Sequence, residues 1–138
     1  MPHKDPEVAR LDALLIPFEE TFIEIAEQHA LEYSGSEEGD FAPPFRRLTQ
    51  ECENPMGGKT LEVGFARGKE FELLDPPRLQ ISAFATFRIE KRWWTLRRVI
   101  QSFESIPQLA DLRVVIEAAL RELQSWTPEM VSDQGKRE

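Results

Sequence analysis

Residues 79–90 carry the pattern that most constrains how this chain can fold. Apolar residues occupy every second position of the segment: Leu79, Ile81, Ala83, Ala85, Phe87 and Ile89. The positions between them are mostly polar: Gln80, Ser82, Phe84, Thr86, Arg88 and Glu90. Side chains of a β-strand point alternately to its two faces. The pattern therefore predicts a long strand in an antiparallel sheet with one buried face and one face in water.

Shorter segments with the same period precede this strand. Residues 45–53 predict a strand, the sequence NPMGGK at 54–59 predicts a turn, and residues 61–65 alternate again. The sequences ARGK and DPP predict turns on either side of a short apolar segment with Phe71 and Leu73. Short turns between consecutive strands indicate an antiparallel meander over about residues 45–104.

The last part of this meander, Trp93 to Glu104, is compatible with two structures. A helical spacing would group Leu96 with Val99, Ile100 and Phe103. The tryptophans and β-branched residues instead favour a strand by propensity. We therefore predict a strand, with the sequence EKR at 90–92 as the hairpin turn, and keep a helix as the alternative.

One amphipathic helix is predicted on each side of the meander. The first, over about residues 6–32, repeats apolar residues at helical spacing and ends its stripe at His29. Pro17 lies off that stripe and should kink or divide the helix. The second, over about residues 107–126, has its apolar stripe from Leu109 to Trp126, and Ser105 could cap it.

The element order predicts one domain over residues 1–138, since a chain of this length can bury a sizeable core. An acidic loop at 33–44 and a frayed tail at 127–138 complete the layout. We predict a two-layer α+β fold. Its antiparallel sheet has four to five strands, and the N-terminal and C-terminal helices pack on that sheet.

Charge restricts the class of partner. The formal net charge is −8, which argues against general nucleic-acid binding because that binding neutralises phosphates with Lys and Arg. The charge is also uneven: residues 67–98 contain 8 basic and 4 acidic side chains, a net of +4, in an otherwise acidic chain. The basic segment is the one that contains the two adjacent tryptophans.

Location and redox chemistry are constrained by what the sequence lacks. No apolar run approaches the length of about 20 residues needed to cross a bilayer. The first residues lack the basic-then-apolar pattern of a signal peptide. Cys52 is the single cysteine, so an intrachain disulfide cannot form. We expect a cytoplasmic protein with no membrane contact.

We find no catalytic, metal-binding or nucleotide-binding motif, and we expect no cofactor and no metal. The histidines are His3 and His29, so a histidine-based site would have few members. One alternative is an enzymatic or small-molecule-binding domain with a pocket between the sheet and the first helix. Its lining would be aromatic, with a polar side chain at the mouth: Phe22, Phe65, Phe84 and Phe87, with His29 or Tyr33.

The strongest candidate for a binding surface lies in the basic segment. We call it the Trp/Arg surface, and its residues are Arg92, Trp93, Trp94, Arg97 and Arg98. Adjacent tryptophans in a strand point to opposite faces, so only one of them can enter the core from that strand. Exposed tryptophan beside arginine is typical of interface hot spots. It also occurs where single-stranded nucleic acid stacks on aromatic rings. Arginine stems that only cover the rings would give the same composition without any partner.

We therefore predict a non-catalytic protein-interaction protein of the adaptor, chaperone or immunity-protein type. Its partner is another protein or a second copy that meets the Trp/Arg surface, and a homodimer is one form of this interaction. Nucleic acid is the less favoured partner.

Size, acidity and the order helix, strands, helix resemble those of type III secretion chaperones over most of the chain. No motif is shared. Those chaperones place a helix between two groups of strands; here that helix would be residues 93–104, and no strands follow it. The resemblance therefore assigns a role to no residue.

Overall fold

The computed structural model describes residues 6–35, 44–50, 56–70, 72 and 74–130. Its helices are α1 (Pro6–Leu15), α2 (Glu19–Gln28) and α3 (Leu109–Gln124). Its strands are β1 (Glu32–Gly35), β2 (Arg46–Gln50), β3 (Met56–Phe65), β4 (Leu79–Ile89) and β5 (Arg92–Ser102). The strands form one antiparallel sheet in the order β1-β2-β3-β4-β5, and the fold is α+β, as the sequence predicts.

Pro17 divides the N-terminal helical region, as its missing N–H leads us to expect. It lies in the 3-10 turn Ile16–Phe18 that separates α1 from α2. The helical region ends earlier than predicted, at Gln28 instead of near residue 32. Ala30 has a φ of 55°, and the N–H of Leu31 donates to the carbonyl of Ala26 at 2.7 Å. A left-handed residue with such a backward bond is a common way to end a helix.

Two details of the predicted layout around the sheet are wrong. The segment predicted as an acidic loop begins with β1, which pairs with β2 and supplies the fifth strand. The predicted turn at 54–59 is not a turn from residue 56 onward, because β3 begins at Met56 and pairs with β4. Phe71 and Leu73 lie outside the described residues, and their neighbours Glu72 and Leu74 belong to no strand. Cys52 also lies outside the described residues.

The ambiguous segment after residue 92 is a strand. β4 and β5 have 11 residues each and form the longest hairpin of the sheet. Glu90 and Lys91 turn the chain with φ values of 52° and 69°. Positive φ at both central residues matches the right-handed twist of the strands that they join.

All three helices lie on one face of the sheet. The strands contribute alternate residues to the core from β2, β3, β4 and β5: Leu48, Leu61, Val63, Ile81, Ala83, Ala85, Phe87 and Leu96. The helices contribute residues from one side of each: Leu15, Phe22, Ile25, Leu112, Ile116 and Leu123. Trp126 is buried beyond the end of α3, and Met130 packs partly buried against the core, so residues 127–130 are not part of a frayed tail; the rest of the predicted tail lies outside the described residues. We call the face under the helices the helix face and the opposite one the open face.

Polar contacts near both ends of α3 hold this helix against the sheet and against α2. Lys59 of β3 donates from Nζ to the carbonyl of Gln124 at 2.9 Å, where the helix dipole is negative. Arg113 donates from Nη1 to Glu24 at 3.0 Å and from Nη2 to Gln28 at 3.3 Å, which joins α3 to α2. The helix begins after Gln108 with no side-chain cap, so the predicted cap at Ser105 is wrong.

Burial along α3 predicts that alanine substitutions at two neighbouring positions lower the free energy of unfolding by very different amounts. Ile116→Ala should lower the free energy of unfolding by about 3 kcal/mol, because Ile116 is fully buried and its loss leaves a cavity. Val114→Ala on the same helix should change it by less than about 0.5 kcal/mol, because Val114 is 67% exposed. Urea unfolding followed by circular dichroism measures both. Equal losses would contradict the one-sided packing of α3.

Candidate functional site

β5 is one of the two outer strands of the sheet, opposite the four-residue β1, and it is as long as β4. It pairs with β4 on one side, and no other strand lies beside it in the part of the chain that the structure describes. An outer strand has backbone N–H and C=O groups that point away from its sheet and can pair with another strand. Natural proteins usually keep such strands short or cover them, and β5, at 11 residues, is not short.

The two tryptophans of β5 lie on opposite faces of the sheet. Trp93 faces Arg88 across the hairpin on the open face and is 57% exposed. Trp94 faces Phe87 on the helix face and is 36% exposed. Val99, on the open face opposite Ser82, is 58% exposed. The outer strand therefore shows three large apolar side chains to solvent.

The arginines of the Trp/Arg surface are divided between the same two faces. Arg97 lies on the open face, with its guanidinium carbon 5.2 Å from the centre of the Phe84 ring. Arg98 lies on the helix face, 3.9 Å from a carboxylate oxygen of Glu122 and 5.5 Å from the centre of the Trp126 ring. Arg92 is exposed at the start of β5. The Trp/Arg surface therefore consists of two groups of side chains along β5, one on the open face and one on the helix face.

The residues proposed for a pocket between sheet and helix do not surround one cavity. Phe22 and Phe87 are buried in the core, and Phe65 is partly buried against it. Phe84 lies on the open face, opposite Arg97. His29 is exposed just after α2. The sheet therefore separates Phe84 from the buried side chains of Phe22 and Phe87.

Tyr33, the remaining member of that set, belongs to a buried polar cluster that the sequence did not predict. Its centre is Arg46 of β2, only 6% exposed on the helix face. Arg46 Nη1 lies 2.9 Å from Asp12 of α1, and Arg46 Nε lies 3.3 Å from Glu19 of α2. The hydroxyl of Tyr33 donates to the same Glu19 oxygen at 2.9 Å. One guanidinium thus joins both N-terminal helices to the sheet.

This cluster shifts two pKa values. Burial opposes the charge of Arg46, but the hydrogen bond and charge of Asp12, with Tyr33 and Glu19, outweigh it and raise the guanidinium pKa. Burial and the hydrogen bond to Glu19 raise the pKa of Tyr33 to about 12, although the charge of Arg46 lowers it. The phenol is therefore held neutral as the hydrogen-bond donor to Glu19, and the cluster serves as a structural joint.

Comparison with protein-family models, curated proteins and solved structures finds no match. Among the described residues, no group of three or more His, Cys, Asp or Glu side chains is placed to hold a metal ion. In the same residues, no helix is long and apolar enough to cross a membrane.

Titration of the single tyrosine should report on the Arg46 cluster directly. Ultraviolet absorbance of tyrosinate should give a midpoint near pH 12 in the folded protein, and near the ordinary value of about 10 in denaturant. The neutral phenol favours the folded state, so its contribution to stability is complete below about pH 10 and is lost as the pH rises through 12.

Glu19→Gln removes the carboxylate acceptor and should lower this midpoint. Glu20→Gln, at an exposed neighbouring position, should leave it unchanged. A midpoint near the ordinary value in protein that circular dichroism shows to be folded would contradict the hydrogen bond to Glu19.

Two adjacent arginines of β2 allow a matched test of the cluster. Arg46→Met should lower the free energy of unfolding by about 3 kcal/mol, because it leaves Asp12 and Glu19 close together without their cation. Arg47→Met should cost less than about 1 kcal/mol, because the pair of Arg47 with Glu62, at 2.8 Å, is partly exposed. Denaturant unfolding checks both values, and a larger loss for Arg47→Met would be evidence against the joint.

Proposed function

We propose that the chain is a non-catalytic protein-interaction protein and that it forms a homodimer by antiparallel pairing of β5 with β5 of a second copy. The observation that carries this proposal is the outer strand itself, whose 11 residues include the exposed side chains of Trp93, Trp94 and Val99. Exposed tryptophan is rare on protein surfaces and frequent at interface hot spots. An unpaired strand edge supplies backbone hydrogen bonds to the same contact.

Symmetry restricts how two copies of β5 can pair. A twofold axis perpendicular to the sheet makes two identical strands antiparallel neighbours and keeps the helices of both subunits on the same side. Facing residues then share a face of the joined sheet. Since side chains alternate along β5, the axis must pass beside one residue, and that residue faces its own copy.

Charge excludes several of the possible centres. An axis at Thr95 would place Arg92 opposite Arg98 of the other subunit, and an axis at Arg97 or Arg98 would place that arginine opposite its own copy. Like charges directly opposite each other destabilise a pair of strands. An axis at Val99 would avoid this repulsion, but it would leave both tryptophans beyond the paired segment.

An axis at Leu96 satisfies both conditions. It places Trp93 opposite Val99 of the second copy on the open face. On the helix face it places Trp94 opposite Arg98, where a ring and a guanidinium can stack. Arg97 faces Thr95, so no arginine faces another. All three exposed apolar side chains of the edge thus gain a neighbour, which supports this register.

The resulting dimer would contain a continuous sheet built from two five-stranded sheets. Its helices would cover one face, and its open face would be twice as wide as that of a single chain. A broad uncovered sheet is suited to an adaptor or chaperone-like role, in which a second molecule lies across both subunits.

A charge reversal at one position tests the register. Thr95→Glu should strengthen the dimer and Thr95→Arg should weaken it, each by about tenfold in dissociation constant, because the new side chain meets Arg97 of the other subunit twice across the axis. Light scattering over a concentration series measures the approach to twice the chain mass of 16.0 kDa. The same substitutions at Val114, exposed on α3, are the control and should leave association unchanged.

Cysteine cross-linking tests the same register without relying on affinity. In a Cys52→Ser background, Trp93→Cys and Val99→Cys chains should form a disulfide when mixed, because their Cβ atoms face each other about 5 Å apart. Either chain alone should not form a disulfide, because the two equivalent cysteines of its dimer would lie six positions apart along the paired strands, about 20 Å. A monomer mass in every Thr95 variant, or no disulfide in the mixture, would exclude this dimer.

A further inference from the structure

The open face contains a depression of about 420 Å3 beside the hairpin of β4 and β5. It exists because β3 has glycine at position 58, opposite Thr86, where another residue would extend a side chain over the sheet. A Cβ atom built on Gly58 would come no closer than 3.4 Å to a backbone oxygen of Gln50, so the space above Gly58 is open. Its volume lies within the range of small-molecule sites, about 300–1,000 Å3.

Aromatic and hydroxyl side chains line this depression. Phe84 of β4 and Trp93 of β5 provide ring surfaces, and Thr49, Thr60 and Thr86 provide hydroxyl groups. The hydroxyl oxygens of Thr49 and Thr60 lie 3.2 Å apart and form a hydrogen bond. Most ligand sites combine apolar walls with a few polar groups in this way, so that the walls give affinity and the polar groups give orientation.

Two arginines stand over the two rings. The guanidinium carbon of Arg88 lies 5.7 Å from the centre of the Trp93 ring, and that of Arg97 lies 5.2 Å from the centre of the Phe84 ring. No carboxylate of the described residues lies within ion-pair distance of either arginine. Arg47, on the same face, is different because Glu62 neutralises it at 2.8 Å. Arg88 therefore places a positive charge beside Trp93, a wall of the depression, and no carboxylate of the described residues neutralises it. Arg97 instead lines a separate depression on the same face, together with Arg47 and Glu62.

We propose that this depression binds a small planar aromatic anion. Its rings would lie over Gly58 and Thr86, between the side chains of Phe84 and Trp93. Its anionic group would accept hydrogen bonds from Arg88, whose guanidinium group lies over the Trp93 ring. A planar ligand fits a site that has a flat sheet as its floor and aromatic rings as its walls. An anion fits because it would neutralise the charge of Arg88.

The test uses two fluorescent probes that differ by one charge. Anilinonaphthalene sulfonate is an aromatic anion, and phenylnaphthylamine has the same rings without the sulfonate. Arg88→Gln should weaken the binding of the sulfonate by about tenfold, because it removes a charged hydrogen-bond donor, and should leave the affinity for the neutral probe within about twofold of the unchanged protein. Arg97→Gln, in the separate depression, is the control and should leave both affinities within about twofold.

A second variant tests the location. Gly58→Val fills the depression and should weaken both probes by about tenfold, with no steric conflict at Cβ. Gly64→Ala is the control on the same strand, because its Cβ would make an ordinary contact of 3.6 Å with Phe45. It should leave both affinities unchanged, and circular dichroism should show that every variant is folded.

Two results would overturn the proposal. One is an unchanged affinity for both probes in Gly58→Val, since the probes would then bind elsewhere. The other is an equal effect of Arg88→Gln on the two probes, or no effect on either, since the anionic group would then have no role. The arginine variants change exposed side chains only, so this second result does not depend on whether Gly58→Val folds.

Discussion

The structure depends on the placement of every helix on the same face of a single sheet. β4 makes this possible, because its apolar residues all point to one side and two of them, Ala83 and Ala85, are small. Small residues on a sheet let a helix approach closely. The hydrophobic effect acts mainly on this face, since burial of apolar area stabilises the fold and, in the part of the chain that the structure describes, no second layer covers the other face.

The helix face also explains why a charged residue could be buried in it. Arg46 has the same orientation on β2 as Leu48, two positions later, so the sheet directs its side chain under the N-terminal helices. Asp12 and Glu19 reach it from either side of the break at Pro17. Two short helices that share one cation are held at a fixed angle to the sheet. Removing that cation would leave two carboxylates close together, so the joint restricts how the N-terminal region can pack.

The sequence predicted the parts of this fold that repeat with a clear period. Residues 79–89 and both helical regions have long periodic patterns, and their structures agree with those patterns. β1 was missed because its sequence, EYSG, is short and polar, and pairing with β2 holds it in the sheet more than burial does. The Arg46 cluster was missed because its members are far apart in sequence. The expected aromatic residues could not all meet in one pocket, because the alternation of β4 places Phe84 and Phe87 on opposite faces.

The distribution of carboxylates links the two proposed surfaces. The chain has 25 acidic and 17 basic residues, so an arginine without an acidic partner is not explained by a shortage of acids. Arg46, Arg47 and Arg98 each lie close to a carboxylate. In the described residues Arg88 and Arg97 do not, and both stand over aromatic rings on the open face. An exposed cation on a ring keeps its charge available at little cost, since water still solvates one side of it. This arrangement favours a reversible contact with an anion over a role in stability.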